Sequence, residues 1–235
     1  QDPPEVGIPM CTLHNFPSMI EHCIEYGRDS FNGNFTDHIT DAKKFCANPK
    51  SFMADLKKEG NVTVQINKLN LIKDLILVAK SKTFDKCVEF AFKSFVELFD
   101  HRIRTLLHNF PEDYVDSSGV KFWTGSKRVP SPITYSVDDE LSFSYVATFA
   151  TLLAQCLKIE TKDFDYIKSF SSKLSTPEFV PVKIKIKVNE NDNEDDGGFL
   201  SSEQEEQKLS NLMSELTLQD AYKINSEDFV RITML

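Results

Sequence analysis

Cys11 is the residue whose surroundings most invite chemistry. It sits in QDPPEVGIPMCTLHNFPSMIEHC, after an extended approach set by Pro3, Pro4 and Pro9 and shortly before a helix start. Unpaired N–H groups at a helix N-terminus favour an anion, so a thiol there is biased toward the thiolate, the nucleophilic form. The competing reading is a small buried hydrophobe, which is what most free cysteines are. From the residues alone both readings stand. The other four cysteines read as structural: Cys23 and Cys87 fall on apolar helix stripes, Cys156 in a helix apolar on nearly all sides, and Cys46 near a helix end. A cysteine hydrolase needs a histidine to take the thiol proton. His14, His22, His38, His101 and His108 are available, but none lies in a recognisable protease signature, and the Cys11-x-x-His14 pair is not a triad.

Other candidates are weaker. Lys127-Arg128 could dock an acidic partner but reads as solvated surface, and so do Lys183, Lys185 and Lys187, whose more ordinary use is to block strand-edge pairing. Phe122-Trp123 reads as an anchor for a long loop. There is no glycine-rich phosphate loop, and no Cys/His group has zinc-ligand spacing. Five scattered cysteines with no CxxC fit a reduced, intracellular compartment.

These residues must be held by helices. Ser18 and Glu21 have capping-box spacing at the start of a first helix, with Pro17 suited to its first turn. Its stripe is Ile20, Cys23, Ile24, Gly27 and Phe31, and Asn32-Gly33-Asn34 is expected to end it. Short helices are expected over 37–46 and 49–58, and a longer one over 64–80 through Ile66, Leu69, Ile72, Leu75 and Ile76. A helix over 84–109 carries Phe84, Val88, Ala91, Phe95, Phe99, Ile103, Leu106 and Phe110 on one face, with a kink at Asp100-His101 and a stop at Pro111. A loop over 111–137 leads to a central helix over 138–158 and a short one near 163–173. At VKIKIKV, 182–188, the period becomes two, which predicts a strand. A last helix is expected over 202–216. The fold class is therefore mainly α, a multi-helix domain with one short strand or hairpin near residues 180–188.

The chain of 235 residues is long enough for a real core, and 40% hydrophobic and 11% aromatic content makes it globular. Its net charge of −9 is concentrated: residues 189–206 hold eight acids and no base, leaving the remainder near −1. That run is expected to be an acidic mobile loop. No basic face suggests nucleic acid, no apolar run is long enough to span a membrane, and the first ten residues do not read as a signal peptide. The sequons at Asn34 and Asn61 read as chance matches.

Several long blocks carry a resemblance. QDPPEVGIPMCTLHNFPSMIEHCIEYGRDSF closely resembles the active-cysteine segment of ubiquitin-activating enzymes. LLHNFPEDYVDSSGVKFWTGSKRVPSPITYSVDD at 106–139, TPEFVPVKIKIKV at 176–188 and the acidic stretch after it agree in the family's order. The resemblance covers about residues 1–196. The end, INSEDFVRITML, departs from the acidic phrase with which the family returns to its adenylation core.

The resemblance implies a single second catalytic-cysteine half-domain over 1–235, belonging to a larger enzyme and containing the acidic loop at 189–206. It implies that Cys11, in Pro9-Met10-Cys11-Thr12, is the thioester-forming nucleophile, with Thr12 helping to shape its site. No cofactor is expected in this segment, since ATP and magnesium serve the adenylation domain of the full enzyme. The segment is expected to be inactive alone. The implied partners are ubiquitin or a ubiquitin-like protein, a ubiquitin-conjugating enzyme and the adenylation domain of the same chain. Nucleic acid and membrane are not expected, the segment is expected to be a monomer, and its location cytoplasmic and nuclear. Two alternatives are a non-catalytic helical interaction module and a cysteine hydrolase.

Overall fold

The computed structural model describes residues 19–59, 61–115, 119–125, 127–181, 202–218 and 222–234. The described residues are mainly helical. The helices are α1 (Ile20–Asn32), α2 (His38–Ala47), α3 (Pro49–Leu56), α4 (Val62–Ser81), α5 (Phe84–Val96), α6 (Arg102–Asn109), α7 (Glu140–Cys156), α8 (Phe164–Ser171) and α9 (Ser202–Leu218). Among the described residues the only extended pairing is an isolated bridge between Val115 and Lys121. The strand expected at 182–188 lies outside the described residues, as does most of the acidic run. Residues 202–206, the end of that run, are helical and place Glu203 and Glu205 in the first turn of α9, where carboxylates suit the helix dipole.

Side-chain caps fix several helix starts. The Asn48 side chain accepts from the Ser51 N–H at 3.1 Å, with Pro49 in the first turn of α3. Asn61 accepts from the Val64 N–H at 3.0 Å and opens α4. Asp139 and Asp163 cap α7 and α8 in the same way.

α5 and α7 form the centre of the packing. Cys87, Val88, Ala91 and Phe95 of α5 are buried, as are Val146, Ala147, Ala150, Leu153 and Ala154 of α7. The alanines leave room for the larger α5 side chains. On another side, α4 packs against α2 and α9, burying Leu69, Ile72, Leu75 and Ile76 with Leu212 and Leu216. The Lys73 ammonium bonds the Glu215 carboxylate at 2.7 Å, and the Tyr222 hydroxyl donates to the same carboxylate at 2.6 Å.

Two expectations about breaks are revised. Asn32-Gly33-Asn34 does not end the first helix. Gly33 keeps right-handed helical angles, and the chain continues through a π-helical turn, Gly33–Asp37, into α2. Burial of Phe35 and donation from the Asn34 amide to the Ser30 carbonyl at 2.8 Å outweigh the local preference to turn. The kink expected at Asp100-His101 is a second π turn, Glu97–His101, linking α5 to α6. An inserted residue rotates the apolar face by about 100°. Phe84 through Phe95 therefore line the main core, while Phe110 faces a separate aromatic cluster.

In that cluster Phe122 stacks on Phe110 with ring centroids 4.2 Å apart, and the Trp123 indole N–H donates to the carbonyls of Phe110 and Pro111. Phe122-Trp123 thus anchors the long loop, as the sequence suggests. The Lys127 ammonium lies 4.7 Å from the Phe122 ring centre.

Candidate functional site

Cys11 and Thr12 lie outside the described residues, as do His14 and the expected cap at Ser18. Met19 is extended and leads into α1, with Glu21 in the first turn.

Helix α1 reverses the packing its periodicity suggests. Of the expected inward stripe, only Phe31 packs on the core, its ring 5.3 Å from that of Phe35. Ile20 is 67% exposed and Ile24 65%, and Cys23 and Gly27 are exposed beside them. The buried residue of this helix is His22. Toward the other end of the helix, Ser30 helps to line a cavity whose surface is mostly apolar. With Ile20 and Ile24 this far exposed, little of the described chain covers the first turns of α1.

The four described cysteines divide. Cys46, Cys87 and Cys156 have their thiols pushed up to about 12, mainly by burial. Cys87 donates to the Thr83 carbonyl and Cys156 to the Phe35 carbonyl. These three thiols are structural, as the sequence reading has them. Cys23 is not buried in the core, which corrects that reading for this residue.

The histidines are equally dispersed. His101 pairs through Nε2 with the Pro177 carbonyl at 3.2 Å and sits 5.5 Å from the Phe179 ring. His38 has its pKa lowered by burial, and its Nδ1 has no hydrogen-bond partner. His108 is exposed. The bonds of the buried Cys87 and Cys156 thiols go to carbonyls, so neither is joined to an imidazole in a protease-like pair. Among the described residues no group of three or more His, Cys, Asp or Glu is placed to hold a metal ion, and no helix is long and apolar enough to cross a membrane.

Sequence reasoning missed a cavity of about 490 Å³ between α1, α4 and α5. Both π turns contribute to its wall: Asn34 from the first, and Glu97, Leu98 and His101 from the second. The available signals were Asn32-Gly33-Asn34 and Asp100-His101, each legible as an irregularity but not as one wall of a shared space.

Comparison with known proteins agrees with the helical architecture. The family model described as the ubiquitin-activating enzyme SCCH (second catalytic cysteine half) domain matches residues 17–232. Cys11 and Thr12 precede that match. The ubiquitin-like modifier-activating enzyme 1 of Dictyostelium discoideum is 35% identical over 97% of the chain and 23% of its own length. The human protein of the same name is 35% identical over 77% of the chain and 17% of its own length. The ubiquitin-activating enzyme E1 1 of Schizosaccharomyces pombe is 35% identical over 77% of the chain and 18% of its own length. The chain therefore spans about a fifth of the length of these relatives, and it belongs to the SCCH-domain family of ubiquitin-activating enzymes.

Proposed function

We propose that the chain is the thioester-carrying part of a ubiquitin-activating enzyme and that Cys11 is its nucleophile. The Cys11 thiolate attacks the carbonyl of a ubiquitin or ubiquitin-like C-terminal acyl-adenylate. A carbon–sulfur bond forms, the bond to the adenylate phosphate oxygen breaks, AMP leaves and the thiol proton goes to solvent. The thioester then passes to the cysteine of a ubiquitin-conjugating enzyme. The adenylation domain of the full enzyme, using ATP and magnesium, makes the adenylate, so this segment by itself does not activate ubiquitin. Because the acyl-adenylate already carries a good leaving group, AMP, the thiolate needs no full triad. Thr12 helps shape the site beside Cys11.

Family membership and the state of the other thiols support this reading. A thiol with a pKa near 12 is only about one part in 10⁵ thiolate at neutral pH, so Cys46, Cys87 and Cys156 are poor nucleophiles. Domain organisation follows the same proposal: residues 1–235 form one half-domain, in which the acidic stretch from 189 connects α8 to α9.

The test uses the complete enzyme, or a chimera carrying this segment in a known adenylation core, with ATP, magnesium and ubiquitin, quenched without reductant. Cys11→Ala is expected to abolish the thiol-sensitive ubiquitin adduct, and Cys23→Ala to leave it. Retention of the adduct in Cys11→Ala would overturn the assignment. An adenylate without adduct in the wild type, repeated with other ubiquitin-like proteins, would favour a non-catalytic interaction module.

A further inference from the structure

Helix α1 keeps an aliphatic face in water. Ile20, Cys23, Ile24 and Gly27 lie in one stripe at helical spacing, all exposed, with the exposed Met19 just ahead of them. Phe31 carries the stripe onward to the core, so the described chain covers its end and not its beginning. Gly27 lies in the middle of the stripe. Glycine is a weaker helix former than alanine, and a Cβ added at Gly27 meets nothing within 4 Å. No described neighbour therefore needs this residue to be small. Beside the stripe, Glu25 and Arg28 pair with each other at 3.5 Å. A surface that fits this face is apolar, and Gly27 lets its backbone come close to the helix.

We infer, on the reading of Cys11 as nucleophile, that the adenylation domain of the same polypeptide docks on this face when the acyl group is handed to Cys11. The size of the face favours an occupant in the same polypeptide. Its five residues present a few hundred Å², well short of the about 800 Å² that each partner of a standard interface buries. A second copy of the chain, or another free protein, would be held weakly there. A domain tethered in the same polypeptide meets the face at an effective concentration on the order of millimolar and needs far less area. Most of the length of the relatives lies outside this segment. The position of the face favours the adenylation domain in particular. Ile20 follows Cys11 by nine residues, which is at most about 30 Å of chain. The adenylate must come within bonding distance of the Cys11 sulfur, which brings its domain to the first turns of α1.

The test uses the complete enzyme with ATP, magnesium and a modifier that gives an adduct lost in Cys11→Ala. The double variant Ile20→Ser, Ile24→Ser and the single variant Gly27→Leu are each expected to slow single-turnover thioester formation about tenfold or more. ATP–pyrophosphate exchange, which reports the adenylate, stays at the wild-type rate. Transfer from preformed thioester to a conjugating enzyme is also unchanged. Thioester formation stays independent of enzyme concentration, as contact within one polypeptide requires. Wild-type rates of thioester formation in both variants would overturn the inference and leave the Cys11 assignment standing. Slowing confined to the transfer step would give the face to the conjugating enzyme instead, and a rate rising with enzyme concentration would give it to a second copy. A lowered unfolding midpoint of the 235-residue chain carrying Ile20→Ser and Ile24→Ser would mean that this segment covers the face itself. Failure of every modifier to give a Cys11-dependent adduct would overturn both the inference and the assignment.

Discussion

The backbone N–H of Ile232, close to the end of the chain, donates to the carbonyl of Phe35 near its beginning, at 2.9 Å. A π turn makes this bond possible by freeing a carbonyl from the regular helical ladder. Two neighbours complete the clip: Thr36 donates its hydroxyl to the Ile232 carbonyl, and the Val230 N–H donates to the Cys156 carbonyl at the end of α7. Phe229 is fully buried beside them. The tail thus joins the α1–α2 junction to the central helix.

Phe229→Ala should be among the most damaging single changes, costing about 3–5 kcal/mol. Ile232→Pro should also destabilise, because it deletes the N–H that the Phe35 carbonyl receives. Urea unfolding followed by helical circular dichroism checks both. A midpoint unchanged in Phe229→Ala would show that the tail is not part of the cooperative unit.

The outward face of α1 predicts a contrast. Ile20→Ser and Ile24→Ser should each change stability by no more than about 0.5 kcal/mol, since both side chains are already largely in water. Ile39→Ala, at a side chain 1% exposed, should cost about 2–5 kcal/mol. Parallel denaturation curves for the three variants decide it. Comparable losses at Ile24 and Ile39 would contradict the packing of α1 described above.

This contrast also shows what the sequence could reveal. The stripes of α4 and α5 gave both the helices and the faces they bury, because those helices have apolar neighbours on the expected side. In α1 the same periodicity identified the helix but not its orientation, since a moment marks an apolar face without saying what covers it. Asn48, Asn61, Asp139 and Asp163 mark helix starts by local chemistry. The tail clip was not legible: a carbonyl freed by a π turn leaves no pattern, and Phe229 stands alone. Of the candidate site, family membership was legible in long blocks around Cys11 and Trp123. The cavity was not, because its lining comes from three helices, two π turns and a distant proline.

Thiol reactivity supplies a third prediction. In the native chain Cys23 should react readily with iodoacetamide near neutral pH, while Cys46, Cys87 and Cys156 should react orders of magnitude more slowly until the chain unfolds. Peptide mapping by mass spectrometry after timed quenching resolves the sites. Fast native labelling of Cys87 or Cys156 would mean that the α5–α7 core opens far more often than its packing implies.

The last prediction concerns acid. Burial lowers the pKa of His38 from its ordinary 6.5, and Lys68 adds to the shift, while Asp41 and Asp37 oppose it without prevailing. The unfolded chain therefore takes up this proton before the folded chain does. Stability from neutral His38 is fully present above about pH 6.5 and is lost as pH falls toward and through the lowered folded value. Nδ1 is buried without a partner, so His38→Gln breaks no hydrogen bond at that atom. Unfolding free energies of the wild type and His38→Gln, compared between about pH 7.5 and about pH 5.5, should show a steeper loss in the wild type. The difference isolates this histidine, because every other residue is the same in both proteins. Glu215 and Asp139 are held below the ordinary carboxylate range by their hydrogen-bond partners, so they enter only at lower pH. Equal slopes in the two proteins would mean that His38 takes up its proton in the folded state as easily as in water, and that its burial does not govern the acid sensitivity of the fold.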